Sequence, residues 1–397
     1  VRTWRLGRIR EQLRERDFAG CVLYDPLNIR YALDATNMQL WTMHNPVRYA
    51  FIATDGPAVL FDFHACEHLS ADYPLIDETR HAIGWGYFSA GPNVPARAKD
   101  WAAEIADLVT QHGGSNKRIA LDICDQDGIE NLQKLGLECH SGMEFAEEAR
   151  KIKHPEELKA MRRSVLTSEI GIAEMWRGLK PGMTENQLWA ILHQVNIARG
   201  GEWIETRLLT SGPRTNPWMQ ECNDRVIEPG DTVGFDTDLV GPYGYCSDIS
   251  RTWVCPGDQP TNEQISNHAM GLEQIEMNAE LIKPGVSFFE FAEKGYKLPD
   301  DYFPQRYSVV IHGVGLCDEY PAIAYPEPGN PGLYDGHFEE GMCICVETYI
   351  GRVGGANGCK MERQGVVTAT GIELMDTFPM DLTPDVDAWQ AGLGKEA

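Results

Sequence analysis

Past residue 230 the chain places acids where acids are expensive. Asp236 and Asp238 lie in Val233-Gly-Phe-Asp-Thr-Asp-Leu239, two residues apart, so strand alternation points both side chains to one face. Asp248 follows in Tyr245-Cys-Ser-Asp-Ile-Ser-Arg-Thr252. His312 ends the apolar run Tyr307-Ser-Val-Val-Ile311 and precedes Gly313-Val-Gly315. Glu347 ends Met342-Cys-Ile-Cys-Val346, and Glu362 sits in Lys360-Met-Glu-Arg363 ahead of Val366-Val-Thr368. A carboxylate on an apolar strand is costly to bury unless it is paired or metal-bound. Several together repel one another until cations relieve them. One imidazole with several carboxylates suits divalent Mn, Fe, Co or Zn, and bridging carboxylates are what two-metal chemistry requires. On residue types alone a second arrangement stays open, in which these acids pair with Arg251, Arg352 and Arg363. A different histidine motif, His64-Ala-Cys-Glu-His68, matches the inverted zinc-peptidase pattern H-x-x-E-H. That pattern needs a helix, and here it follows directly on a strand, so a solvated loop is expected.

The elements that must hold these residues read as two domains. Leu6, Ile9 and Leu13 follow helical spacing, giving a helix over about 4–16. Strands are expected at 21–24, 49–53 and 58–62, the last two joined across Asp55-Gly-Pro57. A helix over 94–112 and a strand over 118–122 complete an α/β layer, and residues 1–152 form the first domain. Pro155 opens a long helix to about 178, and Thr184 with Gln187 forms a capping box for the next. From about 204 the texture turns to short strands between Gly/Pro turns, and sheet resumes near 307–312, 342–350 and 360–376. Residues 153–397 are therefore an α+β domain, helices first and strands after.

Composition narrows the partners. Against 35 Lys and Arg stand 59 Asp and Glu, a formal charge of −24. Nucleic acid is excluded as a partner for want of a basic footprint, and an anionic membrane surface is disfavoured for the same reason. No apolar run approaches the length of a membrane span. Eleven scattered cysteines without a CxxC pair read as reduced thiols, which predicts a cytoplasmic protein. Residues 1–8 lack the apolar core of a signal peptide, and the start at Val1 leaves an upstream segment open.

The order and surroundings of the six residues resemble the pita-bread superfamily of creatinase, prolidase, aminopeptidase P and methionine aminopeptidase, whose ordered metal ligands are Asp, Asp, His, Glu, Glu. Gly230-Asp-Thr-Val-Gly-Phe-Asp236, Gly244-Tyr-Cys-Ser-Asp248, His312-Gly-Val-Gly315, Gly341-Met-Cys-Ile-Cys-Val-Glu347 and Met361-Glu362 carry the likeness. Lys153-His-Pro-Glu-Glu-Leu158 and Leu179-Lys-Pro-Gly-Met-Thr-Glu185 resemble the start of its catalytic domain, and Asn28-Ile-Arg-Tyr31 its N-terminal domain. The resemblance implies a creatinase-like α/β N-terminal domain followed by an α+β pita-bread catalytic domain. It also implies a homodimer in which a partner loop helps close the site, with Trp41 and His44 in the polar loop 36–47 as candidates.

Three departures point away from peptide hydrolysis. Asp236-Thr-Asp238 stands where the family has Asp-x-Gly, adding a carboxylate. Asn216-Pro-Trp218 replaces a Pro-His. Asp318, in Leu316-Cys-Asp-Glu-Tyr-Pro321, stands where the peptidases carry a proton-shuttling His. These features resemble the DddP-type dimethylsulfoniopropionate lyases. That likeness implies Asp236, Asp238, Asp248, His312, Glu347 and Glu362 as ligands of divalent ions, two per site with iron favoured and Mn, Zn or Co as alternatives. It implies β-elimination from a small zwitterion with Asp318 as base, while the sulfonium meets the aromatic faces of Trp218 and Tyr307. An Xaa-Pro peptidase or creatinase-like hydrolase is the rival reading.

Overall fold

The computed structural model of the protein describes residues 1–325 and 333–393. They divide into two units, Val1–Arg150 and Lys151–Ala397.

In the first unit six strands form one sheet, in the order Glu78–His81, Ala58–Asp62, Tyr49–Ala53, Gly20–Leu23, Arg118–Leu121, Glu138–Ser141. Gly20–Leu23 runs antiparallel to Tyr49–Ala53 and parallel to Arg118–Leu121. Three of the inner strands, Gly20–Leu23, Tyr49–Ala53 and Ala58–Asp62, are buried along their whole length, which is why they read as apolar runs rather than as alternation. Helix Val94–Gly113 lays Ala98, Trp101, Ala102, Ile105, Leu108 and Val109 into the core, a stripe at helical spacing. The helix expected over 4–16 is Arg2–Glu15. Residues 36–47 depart from the expected loop: Gln39–His44 forms a short helix, and Trp41 meets Phe63 edge-on at 5.5 Å. That contact is with a strand end twenty-two residues on, which no local pattern announces.

The second unit opens with helix Pro155–Gly178, started by a His154 capping box, and helix Glu185–Ala198, started by the expected Thr184–Gln187 box. The two approach closely at Gly171, where a Cβ would come within 2.5 Å of Leu192 Cδ1. Five antiparallel strands follow in the order Asp318–Ala324, Val309–Val314, Cys343–Gly351, Gly358–Thr368, Gly371–Leu374. A three-stranded sheet, Arg251–Val254, Thr232–Phe235, Leu209–Ser211, lies within the same unit.

The expectation of short strands from about 204, with sheet resuming near 307, passes over helices Asn262–Leu281, Phe288–Lys294 and Val386–Leu393. Thr261 and Gln264 form a capping box that marks the first of them. Its inward face explains the oversight. Gln264, Asn267, Gly271, Gln274, Ile275 and Asn278 are buried, so the helix turns a polar stripe inward and the hydrophobic period is nearly absent. Gln274 satisfies two buried hydroxyls at once: its Nε2 donates to Tyr325 Oη at 2.6 Å, and its Oε1 accepts from Thr348 Oγ1 at 2.5 Å. Gln274→Ala is expected to destabilise the protein by about 2 kcal/mol, because buried hydroxyls lose partners. Urea unfolding checks this, and an unchanged midpoint would show that the polar stripe does not seat the helix.

Candidate metal centre

Strand alternation sorts the central sheet into two chemistries. Along Cys343–Gly351, Ile344, Val346 and Ile350 join an apolar cluster with Ile275 and Phe338, so Cys345 and Glu347 face the other way. Along Gly358–Thr368, Cys359 and Met361 join the same cluster, which turns Lys360, Glu362 and Gln364 to the polar face. Register brings these residues side by side, Glu347 opposite Glu362 and His312 opposite Cys345. A register shift between His312 and Gly313 re-aims the chain there, as bulges beside functional sites do. Strand Thr232–Phe235 delivers Asp236. Asp238 takes a left-handed φ of 36°, a conformation Asp tolerates better than most residues. Thr206 Oγ1 donates to its Oδ2 at 2.5 Å, and its own N–H donates to Asp248 Oδ1 at 3.1 Å.

The structure brings all six expected ligand residues together, and all six are buried. His312 Nε2 lies 3.1 Å from Glu362 Oε1, 3.5 Å from Glu347 Oε1 and 3.7 Å from Asp248 Oδ2. Three sets of donor atoms each fall within 4.8 Å: Asp236–Asp238–Asp248, Asp236–Glu347–Glu362, and Asp248–His312–Cys345–Glu362. Asp318 begins the strand beside His312, with Oδ1 3.6 Å from Nδ1. Unlike the ligands it stands at the edge, its side chain 55% exposed.

The arginine alternative does not hold. Arg251 and Arg363 both bind Asp376, at 2.7 and 3.0 Å. The cation inside the cluster is Lys360, fully buried, with Nζ 2.9 Å from Glu347 Oε2, Glu362 Oε2 and Ser250 Oγ and 3.0 Å from Asp236 Oδ2. Residue-type reasoning passed over it, although a period of two from Glu362 places residue 360 on the same face. Tyr307 covers this ammonium, its ring centroid 4.5 Å from Nζ. Trp218 is buried, stacked on Tyr349 at 6.1 Å and lying against Gly234. His64 and His68 do not join a metal-holding group among the described residues, and their segment carries only a single tight turn at Glu67–Leu69.

Protonation records the crowding. Burial, then Lys360 pulling down and Glu362 pushing up, leaves the Asp236 carboxyl at about 6. Burial and Asp236 raise Asp238 to about 7. Burial raises Glu347 to about 8, against the pull of Lys360. Asp248 is held well above the carboxylate range by burial and its acidic neighbours. Only Glu362 is depressed, because Lys360 and His312 outweigh its burial. Asp318 rises to about 6 through desolvation, opposed by His312, and its open side damps that shift.

Comparison with known proteins separates fold from branch. The model of metallopeptidase family M24 matches residues 159–369. The chain is 42% identical over 386 residues to the dimethylsulfoniopropionate lyase DddP of Roseovarius nubinhibens, covering 96% of this chain and 86% of that one. The DddP lyase of Roseobacter denitrificans matches to the same extent. The chain belongs to the DddP family within metallopeptidase family M24. Among solved structures, an Xaa-Pro dipeptidase from Bacillus anthracis superposes with TM-score 0.76 at 22% identity, covering 96% of this chain and 99% of that one. A prolidase from Pyrococcus horikoshii gives 0.75 at 19%, covering 95% and 99%. The catalytic unit therefore has the pita-bread fold. Among the described residues no helix is long and apolar enough to cross a membrane.

The donor set of this DddP-family chain fits divalent ions. Glu347 Oε1 is buried with no hydrogen-bond donor, an orphan that a cation would satisfy. Five carboxylates less the Lys360 ammonium leave four negative charges, the charge two divalent ions offset. Without metal, the raised carboxyls and a raised His312 mean that the folded chain holds more protons than the unfolded one above about pH 5. Stability of the metal-stripped protein is then expected to fall as pH rises from about 5 to about 8. Loading with divalent metal should weaken or reverse that trend, since ligands bind deprotonated. Thermal midpoints in chelator and in metal at both pH values check this, and a stripped protein that gains stability with pH would contradict it.

Proposed function

We propose that this protein is a metal-dependent dimethylsulfoniopropionate lyase that performs β-elimination to dimethyl sulfide and acrylate. Two relatives at 42% identity that are DddP lyases support the substrate. The observation that carries the chemistry is Asp318, a carboxylate open on one side to solvent and 3.6 Å from His312 on the other. A metallopeptidase needs a group that returns a proton to a leaving amine, and this chain has an acid where that histidine would stand.

Asp236, Asp238, Asp248, His312, Glu347 and Glu362 would hold two divalent ions, iron favoured. When bound, the ions supply a counter-charge for the substrate carboxylate and for the negative charge that develops beside it. Asp318 takes the proton from the carbon next to that carboxylate. The electron pair of the broken C–H bond forms the new double bond, and the pair of the breaking C–S bond leaves on sulfur. Neutral dimethyl sulfide departs and acrylate remains. His312 Nδ1, shared between Gly313 O at 3.0 Å and Asp318 Oδ1, holds the base in orientation. The excess of acid at the site favours a cationic sulfonium over an anionic substrate. Tyr307, whose ring covers the Lys360 ammonium, is the stronger candidate for that sulfonium, while Trp218 packs on Tyr349. Eleven free cysteines fit a reducing compartment, consistent with a cytoplasmic enzyme. Met38, Leu40, Trp41 and Met43 expose apolar surface around one short helix, suited to a homodimer contact.

Metal-loaded protein is expected to release dimethyl sulfide from dimethylsulfoniopropionate, detected by gas chromatography, and no proline from an Xaa-Pro dipeptide. Proline release without dimethyl sulfide would select the hydrolase reading. Asp318→Asn should abolish turnover with metal content unchanged, whereas Asp236→Ala and His312→Ala should lower both. Normal turnover by Asp318→Asn would remove it as the base.

A further inference from the structure

Cys345 stands on the ligand face without a role in the chemistry above. It lies directly across from His312 on the neighbouring strand and two residues before Glu347, so alternation turns its thiol to the side of Glu347. Its Sγ is within 4.8 Å of donor atoms of Asp248, His312 and Glu362, and all four residues are buried. As the structure stands, the thiol donates only to the Asp248 backbone carbonyl at 3.6 Å, a weak bond for a group in so polar a setting. A second observation points to a cation at this place. Glu347 Oε1, on the same strand and the same face, is 3.5 Å from His312 Nε2 and has no hydrogen-bond donor. Among the described residues Cys345 is the one cysteine in a group able to hold an ion.

One imidazole nitrogen, one sulfur and the carboxylate oxygens of Asp248 and Glu362, with Glu347 Oε1 3.5 Å from His312 Nε2, make a mixed donor set of the kind borderline ions accept. Asp236, Asp238 and Asp248 offer only oxygen, a harder environment. We infer that the two halves of the centre differ in softness, and that Cys345 is a sulfur ligand to the ion on the His312 side. As the metal–sulfur bond forms, the thiol proton leaves to solvent. The consequence is selectivity: the His312 half should prefer zinc, cobalt or iron to manganese or magnesium.

This rests on the metal-centre reading, and cobalt separates the two. Whole protein is stripped, loaded with cobalt(II), assayed for bound metal, and its near-ultraviolet absorption recorded. The expected result is an intense sulfur-to-cobalt charge-transfer band, lost in Cys345→Ser while that variant still takes up cobalt. Bound cobalt without the band, or a band undiminished in Cys345→Ser, overturns the sulfur ligand and leaves the metal centre standing. Failure to take up cobalt at all overturns both. Should Cys345→Ser fail to fold, X-ray absorption of the cobalt-loaded parent decides. One sulfur neighbour at about 2.3 Å, the length of a metal–thiolate bond, supports the assignment. A shell of nitrogen and oxygen alone refutes it.

Discussion

Five carboxylates buried in one pocket are the constraint around which the catalytic unit is arranged. Removing several like charges from water costs more than any surface pairing returns, so the fold must supply compensation at fixed positions. Lys360 is the covalent part of that compensation. Its ammonium touches Asp236, Glu347 and Glu362 from three different chain segments and also donates to the hydroxyl oxygen of Ser250. Ser250 in turn donates to Asp236 at 2.5 Å and lies 2.9 Å from Glu362. One buried cation and one hydroxyl thereby cross-link the segments that carry Asp236, Glu347 and Glu362.

The same strands have to satisfy an opposite demand on their other face. Ile344, Val346 and Ile350 fill the apolar cluster beneath helix Asn262–Leu281, while Cys345 and Glu347 between them meet the polar pocket. Because the side-chain period is two, a one-residue slip would put glutamates into the apolar cluster and isoleucines among the ligands. The nine-residue pairing of Cys343–Gly351 with Gly358–Thr368 is held in register by that penalty from both faces. The helix that covers the sheet meets it partly through polar bonds, as Gln274 does with Thr348 and Tyr325.

What was legible in the sequence follows this logic. Five acids and one histidine were readable as candidates because an acid at the end of or inside an apolar strand contradicts its surroundings, and their family order, not residue type alone, set them apart from surface pairs. Lys360 was not readable by the same rule, since a lysine beside acids on an exposed strand looks the same as a buried one; only the alternation from Glu362 betrays it. Helix Asn262–Leu281 escaped because its buried face is amide and glycine rather than leucine, so periodicity is silent and the capping box alone speaks. The contacts of Trp41 and Trp218 are tertiary, with Phe63 and Tyr349, and no local spacing encodes them.

Asp318 stands apart from the buried donor groups. The ligands are sealed and mutually braced, whereas Asp318 sits half exposed at the start of a strand. The next residue supplies the rigidity that an exposed carboxylate lacks. Glu319 is buried, accepts from Lys153 Nζ at 2.8 Å and from the Leu316 N–H at 3.0 Å, and fills the space a side chain at Gly315 would need. The hairpin is thus pinned from within while its outer carboxylate stays free to differ. Residue 318 lies outside the three buried donor groups and meets them only at His312 Nδ1, 3.6 Å away. Structures with TM-scores near 0.75 and identities near 20% share the fold, and a shared fold does not by itself fix the chemistry at its solvent edge.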